Sequence, residues 1–267
     1  MIQSLLNNAP LFLLIAVRIF ALIMTMPLLS SRAISRVVKI ALSGYVTFLV
    51  FPSAFLQDYM QFNSILSVFN LNYVLLLVGE AMIGVILGFY ISIIFSAFST
   101  AGQFFTYQMG FGASEVYDSL AQIENPLMGQ FLNLVATVVF LQINGFQEIF
   151  IGGILRSVET LNVFMLLEER AYFLKFIVTS LTELFLDGMI IAFPIIGTLF
   201  LVSVTTGILS KAAPQMNLLS EGLPITILVA FMLLVFVFPE MIDYFIRVFN
   251  FSFGKIEKLF IDVGRQL

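Results

Sequence analysis

The 267-residue chain contains no cysteine and no histidine. Without cysteine, neither a disulfide framework nor a thiolate metal site can be built, whichever compartment a segment faces. Without histidine, the commonest general base, the usual zinc ligand and the residue most often used as a proton switch near neutral pH are missing. The common Ser-His-Asp and Cys-His nucleophile arrangements go with them. There is no HExxH sequence and no Walker loop. An aspartyl intramembrane protease needs two aspartates on facing apolar helices, and only Asp187 sits within a long apolar run. These absences argue against an enzyme, and no cofactor or metal is expected.

Charge is scarce as well. Charged residues make up 10% of the chain and hydrophobic ones 60%, with a mean hydropathy of +1.07, outside the range of soluble globular proteins. The net charge of -4 with scattered basic residues offers no nucleic-acid footprint. Residues 81–114, 125–147 and 188–210 carry no charge at all, and each stretch exceeds the roughly 20 apolar residues that cross hydrocarbon as a helix. The expected class is an all-α, polytopic membrane protein in contact with lipid. No basic residue precedes Arg18, so the apolar N-terminal segment reads as a retained helix rather than a cleavable leader.

Apolar segments are expected at 11–29, 40–56, 64–101, 127–146, 172–209 and 225–249, with a charged, amphipathic tail at 254–267. The 64–101 run would measure about 57 Å as one helix, against a hydrocarbon core of roughly 30 Å. It is too short for two spans and a turn, so it should be one over-long helix or one bent near Gly79, Gly84 or Gly88. The 172–209 run repeats the pattern, with a kink expected at Pro194. Residues 103–124, rich in glycine, aromatics and amides, read as a loop with little regular structure. The densest mixed charge lies at 148–175, including Glu168, Glu169 and Arg170, and marks the best boundary. The positive-inside rule wants both the Arg32, Arg36, Lys39 connection and the Lys255, Lys258, Arg265 tail in the cytoplasm. Six alternating spans would put them on opposite sides. Either the count is wrong or some apolar helices do not cross, as helices buried against protein need not.

Few residues could carry chemistry. Arg18 inside an apolar helix costs several kcal/mol unless it faces an acid, carbonyls or water; Glu80 or a partner subunit could supply the acid. Glu183 and Asp187, four apart on one helical face, could form a proton or cation path or could bond a neighbouring subunit. Asp243 and Arg247 are spaced for an i,i+4 ion pair. Gly84 and Gly88 form a GxxxG for close helix approach. At 104–111, FFTYQMGF puts aromatics and Met109 beside Gly110 and Gly112. Bulky, polarisable side chains on a glycine-hinged loop can close an opening and still move aside; an ordinary tight connection would look the same.

Five segments in order then resemble one family. They are RIFALIMTMP at 18–27, QMGFGASEVYD at 108–118, LQINGFQEIFIGGILRS at 141–157, AFPIIG at 192–197 and KAAPQMNLLSEGLP at 211–224. Together they resemble the FliR family of flagellar export proteins, whose injectisome relatives belong to the same superfamily. Two positions depart: Phe146 stands where many relatives have histidine, and Ser119 where proline is frequent.

The resemblance implies an export-gate core in the bacterial inner membrane at the flagellar basal body, projecting partly to the periplasmic side. FliP and FliQ homologues would share a hetero-oligomeric helical assembly with this chain, FlhB and FlhA would lie nearby, and unfolded flagellar proteins would be exported through it. Residues 1–170 would be a FliP-like part and 171–267 a FliQ-like helical hairpin with a charged tail. The loop at about 103–124 would plug the pore through Gln108, Met109, Gly110, Phe111, Gly112, Ala113, Ser114 and Glu115. Arg18, Glu80, Glu183 and Asp187 would fix register between subunits, and Pro214, Gln215, Asn217, Gly222 and Pro224 would shape the motif turn. The competing class is a stand-alone secondary transporter coupling through Glu80, Glu183 and Asp187. It calls for an inverted repeat, and no convincing one is present. A passive membrane scaffold is a third possibility.

Overall fold

A computed structural model describes residues 9–31, 33–51, 71–110, 127–212 and 222–264. Every regular element among them is helical. In chain order these are α1 (Ala9–Thr25), α2 (Pro27–Ser30), α3 (Arg36–Val50), α4 (Leu71–Gln108), α5 (Leu127–Gln142), α6 (Gly145–Thr160), α7 (Val163–Glu168), α8 (Arg170–Ala212) and α9 (Leu223–Gly264). The all-helical expectation is met.

Over-long helices were expected twice and occur three times. α4, α8 and α9 have 38, 43 and 42 residues and are apolar enough to cross a bilayer; α5 and α6 together could make a fourth span. Six spans are not reached among the described residues, because α1 and α3, with 17 and 15 residues, fall short of the roughly 20 a span needs.

Two expectations need correcting. Helix α4 does not give way to a loop at residue 103 but runs on to Gln108, since Phe105 and Thr106 are buried and the Thr106 hydroxyl bonds back to the Gly102 carbonyl at 2.9 Å. Helix α9 does not end near 249 but continues to Gly264. Its tail keeps Ile256, Leu259, Phe260 and Val263 buried at the i, i+3, i+4, i+7 spacing of one helical face. Helix α8 runs on through Pro194.

The chain divides into two compact units that interleave in sequence: Met1–Ile93, Asn144–Ser180 and Asn250–Leu267 form one, Ile94–Ile143 and Leu181–Phe249 the other. In the first, α1 presents Leu11, Leu14, Ile15, Ile19, Leu22 and Ile23 to the interior. It crosses α4 at the two GxxxG glycines. A Cβ on Gly84 would run into the Arg18 carbonyl, and one on Gly88 into the Thr25 hydroxyl and the Leu22 carbonyl, so only glycine permits this backbone approach. In α6, residues Glu148–Leu155 are π-helical. Just before α6, Asn144 adopts a left-handed conformation (φ 56°), which asparagine tolerates better than most residues. The α6 helix ends in two extended residues, Leu161 and Asn162, and the Asn162 side chain caps α7 by accepting the Met165 N–H at 2.9 Å.

The second unit is knit by phenylalanines. Phe95 and Phe98 of α4 meet Phe249 of α9 at centroid distances of 5.4 and 5.3 Å, and Phe140 of α5 joins at 5.6 Å. Such tilted and edge contacts suit the ring quadrupoles. Gly102 and Gly129 bring α4 and α5 into backbone contact.

Candidate functional site

The site builds from Arg18. A guanidinium in an apolar interior must find an acid and acceptors for its five N–H groups, and the first unit supplies them from two directions. Nε of Arg18 donates to Oε2 of Glu80 on α4 at 2.5 Å, and both side chains are shut away from solvent. Nη1 donates to the Ser157 carbonyl at 2.5 Å and lies 3.4 Å from its hydroxyl, while Nη2 donates to the Leu161 carbonyl at 2.8 Å. The Ser157 carbonyl lies in the last turn of α6, where it also accepts the Leu161 N–H at 3.0 Å. The Leu161 carbonyl follows just past the helix end, where the helix dipole is negative. One cation therefore neutralises a carboxylate on one side and caps a helix C-terminus on the other.

Local sequence makes the convergence possible. The Ser157 hydroxyl turns back to the Ile154 carbonyl at 2.8 Å. Gly79, beside Glu80, admits Val163 of α7 where a Cβ would collide. Gly84 admits the Arg18 backbone itself. Three sequence segments far apart in the chain thus meet around one charge.

In the second unit Asp187 of α8 accepts a hydrogen bond from the Tyr244 hydroxyl of α9 at 2.9 Å, and Glu183 stands half-buried one turn earlier. The expected Asp243–Arg247 pair is not formed: Arg247 lies over the Tyr244 ring, 5.7 Å from its centroid, and no salt bridge joins it to Asp243 among the described residues. A ring held in place by Asp187 offers the guanidinium a π face on its own helix.

Gln108 closes α4, Met109 is buried, and Gly110 adopts φ 83°, the left-handed stop that glycine supplies at a helix end. A Cβ on Gly110 would come within 2.5 Å of the Leu223 side chain. Phe111, Gly112, Ala113, Ser114 and Glu115 lie outside the described residues, as do Pro214, Gln215 and Asn217. Gly222 and Pro224 flank the start of α9; the Gly222 carbonyl accepts from the Thr226 hydroxyl at 2.9 Å, and proline is tolerated in a first helical turn.

Sequence reasoning named Arg18, Glu80, Glu183 and Asp187 but missed Ser157, Leu161 and Tyr244. Main-chain carbonyls carry no sequence mark. Tyr244 had one, a phenol within an apolar helix that must find a hydrogen-bond partner when buried.

Three helices long and apolar enough to cross a bilayer, one of them tied to α1 by a buried ion pair, define the class as a helical protein of membrane type. The chain belongs to the bacterial export proteins, family 1, whose profile matches residues 9–252. It is 28% identical to the flagellar biosynthetic protein FliR of Bacillus subtilis over 269 residues, covering 98% of this chain and 99% of that one. It is 28% identical to FliR of Escherichia coli, with 91% of both chains covered. Surface presentation of antigens protein SpaR of Shigella flexneri is 31% identical over 80% of this chain and 79% of its own.

Proposed function

We propose that this chain is a channel-forming subunit of a flagellar type III protein export gate in the bacterial inner membrane. It assembles with FliP and FliQ homologues, next to FlhB and FlhA, and lets unfolded flagellar proteins pass. The observation that carries the reading is the end-to-end similarity to FliR proteins. Three helices long enough to cross a bilayer are consistent with it.

In this reading residues 1–170 are the FliP-like part and 171–267 the FliQ-like hairpin. Two features support the division. A new helix begins at Arg170, and within the first unit the start of α8 runs antiparallel to the end of α9. There Tyr172 donates to Asp262 at 2.9 Å, while four residues on Phe176 shares Tyr90 with Ser252. Arg18 and Glu80 stiffen the FliP-like part and so hold the faces it offers to neighbouring subunits.

The segment that follows α4, to about residue 124, acts as the plug, with Gly110 as its hinge. Deleting residues 110–114 is expected to make the assembled gate leak ions in a conductance assay; unchanged conductance would remove the plug assignment. Co-purification with FliP and FliQ homologues tests the subunit assignment, and a chain that purifies alone would overturn it. The similarity to SpaR favours one second reading, service in an injectisome. Restoration of motility, against restoration of effector secretion, in the corresponding deletion strains separates the two.

A further inference from the structure

The glycines of this fold are of two kinds. At Gly79, Gly84 and Gly88 an added Cβ would strike a neighbouring segment, so the missing side chain serves close packing. At Gly152, Gly153 and Gly254 it would not. A Cβ on Gly254 meets nothing within 4 Å, one on Gly153 only Ile149 at 4.0 Å, and one on Gly152 only the Glu148 carboxylate at 3.7 Å. Each helical glycine forgoes roughly 1 kcal/mol of helix propensity, and here no close packing offsets it. What the three glycines do instead is keep open a cleft of about 430 Å³ between α6 and the last part of α9, wholly within the first unit.

Its chemistry is specific. The floor includes the π-helical stretch Glu148–Leu155, eight residues of a geometry that is rare and recurs at functional sites. The charged lining is Glu148, Glu257 and Arg156. Arg156 touches Glu257 at 3.4 Å with both side chains half exposed (50% and 53%), a pairing that solvent weakens. Among the described residues no donor engages the Glu148 carboxylate, which lies against Gly152 and faces the open space. The lining is thus short of one positive charge. Gln147 and Asn250 add side-chain amides, which match the donor and acceptor of a peptide group.

We propose that this cleft binds a segment of another polypeptide through one arginine or lysine side chain, whose cationic head pairs with Glu148 while the amides take its backbone. An amide-lined, glycine-floored slot suits a peptide carrying a cation better than a free cation, because a free cation leaves the amide donors unused.

The test uses the full chain in nanodiscs, together with any subunits that co-purify with it. The probe is the capped peptide acetyl-Ala-Arg-Ala-amide, compared by calorimetry with its citrulline analogue and with free arginine. Saturable binding of the arginine peptide is expected, with the citrulline peptide and free arginine at least tenfold weaker. Glu148→Gln should weaken binding roughly tenfold, the scale of one charge-assisted hydrogen bond. Gly254→Leu should abolish binding while leaving circular dichroism and the thermal midpoint in place. If that variant does not fold, Gly152→Leu fills the same space. Absence of saturable binding, equal affinity for the citrulline peptide or for free arginine, or indifference to the space-filling variants would each overturn the proposal.

Discussion

Arg18 and Glu80 are 62 residues apart in sequence, yet Nε of one lies 2.5 Å from Oε2 of the other, with side-chain exposures of 3% and 2%. At that depth neither charge can fall back on water if its partner is removed. The pair is best regarded as a single unit with the α6 carbonyls that complete it.

Removing half of the pair should therefore harm more than removing all of it. Arg18→Met or Glu80→Leu alone is expected to cost about 3–5 kcal/mol, the penalty for stranding a buried charge. Arg18→Met combined with Glu80→Leu should recover part of that loss, though not all, since the Ser157 and Leu161 carbonyls lose a donor. Thermal midpoints of the four purified proteins measure the coupling. Simple additivity of the two single losses would show that the pair does not act as a unit.

The helix crossing makes a separate prediction. Gly84→Ala pushes a methyl group into the Arg18 carbonyl, a backbone atom that cannot swing aside, so a loss of about 1–3 kcal/mol is expected from overpacking. Gly44 of α3 is the internal control. A Cβ there meets nothing within 4 Å, and Gly44→Ala should be neutral or stabilising by up to about 1 kcal/mol through helix propensity. Equal effects of the two alanines on the melting temperature would contradict the packing argument.

For the second unit the sensitive group is a phenol. Tyr244→Phe keeps the ring beneath Arg247 but deletes the donor to Asp187, and about 0.5–1.5 kcal/mol should be lost, the net worth of one part-buried hydrogen bond. Asp187→Asn retains an acceptor for that phenol and should be milder. Denaturation of both variants in the same detergent decides the order, and a harsher asparagine variant would point to another role for the carboxylate.

Much of the architecture could be read from the sequence because apolar runs as long as 64–101 and 172–209 leave little choice but helix. Helix ends were harder. The segment GQFFTYQ at 102–108 has the composition of a loop, yet burial of Phe105 and Thr106 carries α4 through it, and tertiary packing routinely overrides local preference. The tail after 249 was legible as amphipathic but not as a continuation of the preceding helix; the four apolar residues on its inner face carry α9 through it. At the site, Arg18 announced its need for an acid and Glu80 was one of two sources. The α6 carbonyls were invisible, since every residue has one and only the fold selects which are free to accept. The i,i+4 spacing of Asp243 and Arg247 misled for a related reason. Spacing permits a pair, but a tyrosine fixed from a neighbouring helix offered Arg247 another resting place.

The partners of Arg18 also impose an order on biogenesis. The ribosome delivers this arginine early, whereas Leu161, the most distant of its acceptors, emerges 143 residues later. At translation rates of about 5–20 residues per second the wait is on the order of ten seconds. The acid Glu80 follows 62 residues after Arg18 and the carbonyls come only later still. For the first part of that interval the helix therefore carries a bare arginine, and for the rest a pair without its backbone acceptors, each favouring water, an insertase or another polar shelter over hydrocarbon.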